Sequence, residues 1–188
     1  MRNWTLCIFG LLAIWASARL NPDLSKTPPM GFNSWNHFNL EINEQIFKDI
    51  ADAFVRLGLD VAGYKYINVD DGWLWKERGE DGHIRVMEPK FPNGLKHLSD
   101  YIHSKGLKFG LYADGGLFTC GWGAGSLGYE KIDAADFEAW GVDYLKYDNC
   151  HNQGIPSIYR YAAMAEALYS LDREIFFSVC NWGLEDVN

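Results

Sequence analysis

The chain has 188 residues, of which 48% are hydrophobic and 15% aromatic, and its formal net charge is −8 at pH 7. A chain of this length can bury one substantial hydrophobic core, so we expect a single main domain. The acidic balance, with a pI near 5.0 and without a basic patch, argues against nucleic acid and anionic membranes as partners.

The N-terminus has the pattern of a secretory signal peptide. Arg2 is followed at residues 6–15 by the short apolar run LCIFGLLAIW, which is too short to span a bilayer comfortably. The Ala-Ser-Ala sequence at 16–18 fits a small-x-small cleavage site. We therefore predict a signal peptide over 1–18, and a membrane anchor is the less favoured alternative.

The cysteines are consistent with an oxidising compartment. Signal cleavage would remove Cys7 and leave Cys120, Cys150 and Cys180. Three is an odd number, so one cysteine has no partner within this chain or stays free. The predicted destination is the secretory pathway, with extracellular and vacuolar or lysosomal locations both open. The oligomeric state is also open, with a homodimer among the alternatives.

Strand and helix patterns alternate along the rest of the chain. The segment 28–38 predicts entry into a first strand, and further strand patterns lie at 64–73, 107–112, 142–150 and 174–180. Helical patterns separate them, at 43–57, 95–105, 132–140 and 156–171. Regular units of this kind with continuous apolar strands predict a parallel sheet covered by helices.

The first helix has the clearest signals at its ends. Asn43 is a suitable N-cap, and Gly58 would end the helix. Helical spacing predicts that its inward face carries Ile46, Ile50, Phe54 and Leu57.

Polar residues gather at the carboxyl ends of the predicted strands and not at their starts. Both a (β/α)₈ barrel and an open doubly wound sheet place their sites there. No GxGxxG motif follows a strand, which argues against a dinucleotide-binding fold. We therefore predict an α/β fold of the (β/α)₈ TIM-barrel class. Because a complete barrel takes about 250 residues, residues 19–188 would be an incomplete barrel of roughly five βα units.

The segment 142–150 (VDYLKYDNC) carries the strongest chemical signal. Alternation places Tyr144, Lys146 and Asp148 on one face of a strand. The nearby lysine would favour the ionised acid, which would then be available as a nucleophile. A strand-end acid that caps the next helix is the alternative.

The other strand ends supply more acids, an amide and aromatic rings. These residues are Trp35, Asp70, Asp71, Tyr112, Asp114, Asn181 and Trp182. Acids accept hydrogen bonds from hydroxyl groups and rings stack on the apolar faces of sugars, so a glycosidase is the favoured function. The histidines are scattered and have no metal-ligand spacing with cysteines, so neither a metal nor an organic cofactor is predicted.

Five motifs in register make the prediction more specific. They are PPMGFNSWNHF, NVDDGW, HSKGLKFGLYADGG, WGVDYLKYDNC and FFSVCNWG. Together they resemble the α-galactosidases of glycoside hydrolase family 27 over residues 28–186. The resemblance implies a (β/α)₈ barrel followed by a small antiparallel β domain. It also implies retaining hydrolysis of terminal α-galactosyl groups.

The resemblance assigns roles to the acids and to the lysine. Asp148 matches the catalytic nucleophile of the family, and Lys146 matches the lysine beside it. Asp70 and Asp71 match the acid pair that binds the hydroxyls at C4 and C6 of galactose. They would reject the C4 epimer because its binding leaves polar groups unpaired.

The resemblance also assigns the rim of the pocket. Trp35 and Tyr112 match rings that line the pocket. Cys120 and Cys150 match a disulfide that links the loops after the third and fourth strands.

Three departures from the family pattern matter. Many relatives carry a pair of cysteines where this chain has Leu40 and Gly72, so one bridge is lost without an orphan thiol. Many have Glu at the position of Asn181, which would contact the 2-hydroxyl of the sugar as a shorter, neutral group. The acid/base carboxylate of the family follows a sixth strand, so we expect none in this chain and assign the role to neither Asp114 nor Glu185.

Two alternatives stay open. An α-N-acetylgalactosaminidase of the same family would need small residues after the fifth strand, and Asn181 and Leu184 are not small. A truncated, non-hydrolytic galactose-binding protein would follow if the chain ended as a half barrel, with an exposed edge strand.

Overall fold

The computed structural model describes residues 22–185, which are organised around one parallel sheet. The predicted signal peptide and Cys7 lie outside the described residues. The strands of the sheet are β1 (Gly31–Asn33), β2 (Tyr66–Val69), β3 (Lys108–Asp114), β4 (Tyr144–Asp148) and β5 (Phe176–Val179).

Helices follow the strands in the described part of the chain. They are α1 (Trp35–Phe38), α2 (Glu44–Arg56), α3 (Gly94–Ser104), α4 (Glu130–Ala139) and α5 (Ser157–Tyr169). A 3₁₀-helix at Pro22–Ser25 precedes β1. Between residues 22 and 185 no helix combines the length and apolarity that a membrane crossing requires.

The order of the strands in the sheet is β1-β2-β3-β4-β5, and all four pairings are parallel. A doubly wound sheet would reverse direction at a switch point between two strands. The uninterrupted order is that of a barrel wall, in which each βα unit adds a strand beside the previous one. The predicted α/β fold of the TIM-barrel class, with about five βα units, is confirmed.

The two faces of the sheet have different environments. Ile67, Phe109, Leu145 and Tyr147 have no exposed surface and belong to the core beneath the helices. The opposite face carries rings, including Tyr144 and Phe176, which stack at 5.3 Å between centroids. The predicted alternation along β4 is therefore confirmed, with Lys146 and Tyr144 opposite the buried Leu145 and Tyr147.

Helix α2 confirms one prediction and corrects another. The Asn43 side chain accepts a hydrogen bond from the Ile46 backbone N–H at 3.1 Å, as expected of an N-cap. The buried face carries Phe47, Ala51 and Phe54, whereas Leu57, predicted to face inward, is 62% exposed. The predicted stripe, which begins at Ile46, and the buried stripe, which begins at Phe47, lie next to each other on the helix and share Phe54. The Phe47 ring is the one that occupies the core.

Candidate active site

The carboxyl ends of β2, β3 and β4 bring three acids to one edge of the sheet. Asp70 follows the last residue of β2, and Asp114 and Asp148 are the last residues of β3 and β4. The strand register pairs Asp114 directly with Asp148. All three are nearly inaccessible to solvent, so their charges depend on protein partners.

Asp148 is held by donors on both of its carboxylate oxygens. Oδ1 accepts hydrogen bonds from the Asn149 backbone N–H at 2.9 Å and from the Trp182 indole N–H at 3.0 Å. Oδ2 accepts one from the Tyr112 hydroxyl at 3.0 Å. This arrangement fixes the orientation of the carboxylate, as an attacking group requires.

Tyr112 is a hydrogen-bonding partner as well as a ring. It is 1% exposed, and burial together with the charges of Asp71, Asp148 and Asp114 raises the pKa of its hydroxyl far above the usual range. The hydroxyl therefore stays protonated and able to donate to Asp148.

Lys146 pairs with Asp70 and not with Asp148. Its ammonium lies 2.7 Å from Asp70 Oδ2, which also accepts a hydrogen bond from the Asn33 side-chain amide at 2.8 Å. Burial alone would lower the pKa of Lys146, but the Asp70 charge and hydrogen bond, with a contribution from Asp148, raise it. Lys146 interacts with the Asp148 charge, but its hydrogen-bonded partner is Asp70, which the sequence did not indicate.

Asp71 is bound to the loop that follows β3. Its Oδ1 accepts from the Thr119 hydroxyl at 3.0 Å, and its Oδ2 accepts from the Gly121 backbone N–H at 2.6 Å. Burial, and to a smaller extent the Asp70 charge, raises the pKa of Asp71, although these hydrogen bonds oppose the shift. At Gly121 a side chain would not fit, since an added Cβ would lie 2.9 Å from Asp71 Oδ2.

The expected disulfide between Cys120 and Cys150 is present, with Cα atoms 5.2 Å apart. It joins the loops after β3 and β4, and Cys120 Sγ lies 3.3 Å from Asp148 Oδ2. Cys180 is the free cysteine within the described residues. Burial, and next the Asp148 charge, raises the pKa of the Cys180 thiol.

Within the described residues, the side chains of two predicted contact residues make no hydrogen bond to the acids of the site. Trp35 begins α1, where its backbone N–H is bound by Asn33 Oδ1 at 2.9 Å, and its ring is partly exposed. The Asn181 amide donates to the carbonyl oxygen of Leu184 within its own loop. The sugar contacts of both residues stay predictions.

Two residues of the site, Asn33 and Thr119, were missed by the sequence analysis, and Trp182 was marked only as a ring at a strand end. Asn33 donates to Asp70, Thr119 donates to Asp71, and Trp182 donates to Asp148. Asn33 and Trp182 lie within motifs that the sequence had already marked, at the ends of β1 and β5. Thr119 carried no signal, since its role depends on the path of a loop.

The positions of the lost cysteine pair are neighbours in space. A Cβ added at Gly72 would lie 3.2 Å from Leu40 Cα. Leu40 and Gly72 are therefore in contact across two loops, as the resemblance predicts for two positions that carry a cysteine pair in many relatives.

The described residues contain one cluster of potential metal ligands, formed by Asp114, Cys120, Asp148 and Cys150. Both cysteines are consumed by the disulfide, and metal ligation requires thiolates. Two carboxylates remain, and each is already occupied by hydrogen bonds from Tyr112 or the backbone. This donor set suits a hydrogen-bonded network better than a metal.

Asp114 is fully buried beside Asp148 and supports the surrounding loops. Its Oδ1 accepts from the Gly116 N–H at 2.7 Å, and its Oδ2 accepts from the Cys150 N–H at 3.0 Å. Burial, and to a smaller extent the Asp148 charge, raises the pKa of Asp114 to about 7, despite these two hydrogen bonds. With no exposed surface, Asp114 is placed to position the loops and not to protonate a leaving group.

The raised pKa of Asp114 predicts a pH-dependent stability. An acid with a higher pKa in the folded state binds a proton on folding, so the free energy of unfolding falls as pH rises from about 4 to about 7. This group would contribute a slope of up to about 1.4 kcal/mol per pH unit. We expect Asp114→Asn to make the fall shallower.

Urea unfolding between pH 4.5 and 8 measures this slope. The sample is the protein expressed from its complete native coding sequence, which we call the native-frame protein. An identical slope in the variant and the parent would contradict the shifted pKa.

Comparison with known proteins agrees with this architecture. Residues 27–187 match the family described as Melibiase_2, Alpha galactosidase A. An alpha-galactosidase of Cyamopsis tetragonoloba is 54% identical over 87% of this chain and 40% of the relative. The chain thus spans about two fifths of the length of such curated relatives.

Solved structures show the same relationship. Alpha-galactosidase I from Mortierella vinacea matches with a TM-score of 0.85 and 45% identity, over 87% of this chain and 43% of that one. An alpha-galactosidase of Saccharomyces cerevisiae, solved with raffinose, matches with a TM-score of 0.81 and 45% identity, over 84% and 36%. The chain belongs to the alpha-galactosidase A (Melibiase_2) family.

Proposed function

We propose that the native-frame protein is a retaining glycoside hydrolase that removes terminal α-D-galactosyl residues from oligosaccharides or glycoconjugates. The observation that carries the proposal is the convergence of Asp148 with the Asp70–Lys146 pair and Asp71 at one end of the sheet. A fixed carboxylate beside hydroxyl-binding acids is what cleavage of a polar sugar requires.

In the proposed mechanism Asp148 attacks the anomeric carbon of the bound galactose. A carboxylate–sugar ester forms as the bond to the leaving oxygen breaks, and water later hydrolyses this ester. The leaving oxygen takes its proton from a second carboxylic acid, which we place beyond the described residues. Tyr112 and Trp182 donate hydrogen bonds to Asp148 and hold its carboxylate in place.

The proposed preference for galactose rests on Asp70 and Asp71. Both are almost fully buried, so a ligand that fails to satisfy them leaves costly unpaired polar groups. Asn33 and Lys146 fix Asp70, and the loop after β3 fixes Asp71. We also propose Trp35 and Asn181 as sugar contacts.

Relative rates on two aryl glycosides test the proposal against its closest alternative. We expect the native-frame protein to hydrolyse an aryl α-galactoside at least about tenfold faster than an aryl α-N-acetylgalactosaminide. The physical reason is that the loop after β5 carries Asn181 and Leu184, which leave less room for an acetamido group. A faster second substrate would make the protein an α-N-acetylgalactosaminidase. Failure on both substrates, with galactose still bound, would make it a non-hydrolytic sugar-binding protein.

We further propose that the protein enters the secretory pathway and reaches an extracellular or a vacuolar or lysosomal compartment. The N-terminal apolar pattern at residues 6–15 and the Cys120–Cys150 disulfide support this route. The proposed partner is an α-galactoside, and the raffinose complex of the yeast relative makes an oligosaccharide a suitable first substrate.

A further inference from the structure

An exposed tryptophan stands on the loop that follows β3. Trp122 is 58% exposed, although a large aromatic side chain gains free energy from burial. Its indole lies 4.2 Å from the His151 ring and 5.9 Å from the Phe118 ring, measured between centroids. The indole is therefore in contact with two other rings, and more than half of the residue is exposed to solvent.

The backbone beneath this cluster is strained. Trp122 has a φ of +69° and His151 a φ of +42°, a region that L residues with side chains rarely adopt. Glycine would adopt this conformation at lower cost, as it does elsewhere in these loops. Strain at two residues whose rings contact each other indicates a role for the side chains themselves.

The turn that carries Trp122 is fixed to the proposed galactose site. Thr119 and Gly121, both in this turn, donate hydrogen bonds to Asp71. The turn is closed by a hydrogen bond from the Trp122 N–H to the Thr119 carbonyl at 3.0 Å. The turn that carries the indole is thus bound to an acid that we assign to the sugar.

The second loop of the cluster is fixed to the proposed nucleophile. His151 follows Cys150, whose disulfide partner Cys120 lies against Asp148. The His151 ring is oriented by its contact with the Phe118 carbonyl at 3.1 Å. One loop under Trp122 is therefore anchored to Asp71 and the other, through the disulfide, lies against Asp148.

We infer that Trp122 forms a stacking platform for the sugar unit that adjoins galactose on the leaving-group side, because its ring partner His151 lies on the loop that the disulfide tethers to the proposed nucleophile. This inference rests on the proposed function and extends it to the substrate class, namely α-galactosyl oligosaccharides. The occupant is a sugar ring because a flat, supported aromatic face beside a sugar site matches the apolar face of a pyranose or furanose ring.

The test compares substrates that do and do not reach the platform. Trp122→Gly removes the indole and relieves the strained backbone, so the fold should be preserved. In the native-frame protein, we expect this variant to reduce the ratio of kcat/KM for an α-galactosyl trisaccharide to kcat/KM for an aryl α-galactoside about tenfold. Trp122→Phe should restore most of the ratio, because it restores a ring.

Leu117→Ala is the matched control, since Leu117 is an exposed apolar residue of the same loop and is 44% exposed. We expect it to leave the ratio unchanged. An equal ratio in Trp122→Gly and the parent, or no difference between the Gly and Phe variants, would overturn the inference.

Binding measurements distinguish a failure of this inference from a failure of the proposed function. In an Asp148→Asn background, calorimetry measures the affinities for the trisaccharide and for galactose alone. We expect Trp122→Gly to weaken trisaccharide binding about tenfold relative to galactose binding. If galactose still binds and Trp122→Gly weakens the affinities for galactose and for the trisaccharide equally, the platform alone is overturned. If neither galactose binding nor hydrolysis is observed, the proposed function is overturned and the platform with it.

Discussion

Asp148→Asn is expected to reduce turnover of α-galactosides by the native-frame protein on the order of 10⁴-fold, as for the loss of other catalytic groups. The amide nitrogen is a poor nucleophile, so the covalent intermediate cannot form. The shape of the site should be retained. The amide oxygen can replace Oδ1 as the acceptor for Asn149 and Trp182, and the amide nitrogen can donate to the Tyr112 hydroxyl in place of Oδ2.

The measurement is kcat on an aryl α-galactoside, together with the affinity for galactose, which should stay within a few-fold of the parent. Asp143→Asn is a matched control, because Asp143 precedes the same strand and binds the Phe109 N–H at 2.8 Å, away from the site. We expect the control to lower stability and to retain turnover. Turnover of Asp148→Asn above about 1% of the parent would place the nucleophile elsewhere.

Lys146→Met is expected to cause the second large effect, because it leaves the Asp70 carboxylate buried without its cation. Asp70 is 1% exposed on its side chain and Lys146 is 21% exposed. Removing one partner of a buried pair costs about 3–5 kcal/mol, and the partial exposure of Lys146 favours the lower end. We expect a loss of about 3 kcal/mol in the free energy of unfolding, and a loss of kcat/KM on the order of 100-fold as galactose contacts are displaced.

Two further variants make this result specific. Lys108→Met is the matched control. Lys146 lies 5.0 Å from the Tyr112 centroid and Lys108 lies 5.2 Å from the Tyr66 centroid, but Lys108 is exposed at the start of β3. It should change stability by less than about 0.5 kcal/mol. Adding Asp70→Asn to Lys146→Met should recover stability without recovering activity. A Lys146→Met variant as stable as Lys108→Met would contradict a buried ion pair.

The partner of Lys146 shows what the sequence could not provide. Alternation along β4 identifies Lys146 and Asp148 as neighbours on one face, at the spacing of two residues along a strand. The Lys146 side chain is long enough to reach across a neighbouring strand, so a residue two strands away can be its nearest partner. Asp70 lies just beyond β2, across β3 from Lys146, and only the assembled sheet reveals this contact.

The strands and helices were predictable because their apolar residues repeat with a clear period, whereas the loops of the site have none. On α2 the predicted Ile50 and Phe54 do contact the core, but Leu57 was wrongly placed inward, because packing of Phe47 against Phe91 turns the adjacent face of the helix to the core. The motifs predicted the acids, the lysine and the disulfide. Thr119 and the orientation of Asn181 depend on loop paths that periodicity does not describe.

The consecutive strand order has a consequence for how the site is made during synthesis. Each strand pairs with the one that left the ribosome just before it, so the sheet can grow in the direction of translation. The charge of Asp70 stays uncompensated until β4 arrives with Lys146. Docking of β4 therefore brings the cation, Asp148 and the cysteine for the disulfide in a single event. Before that event Asp70 lacks its cation, so the charge balance of the site, the proposed nucleophile and the disulfide are completed together.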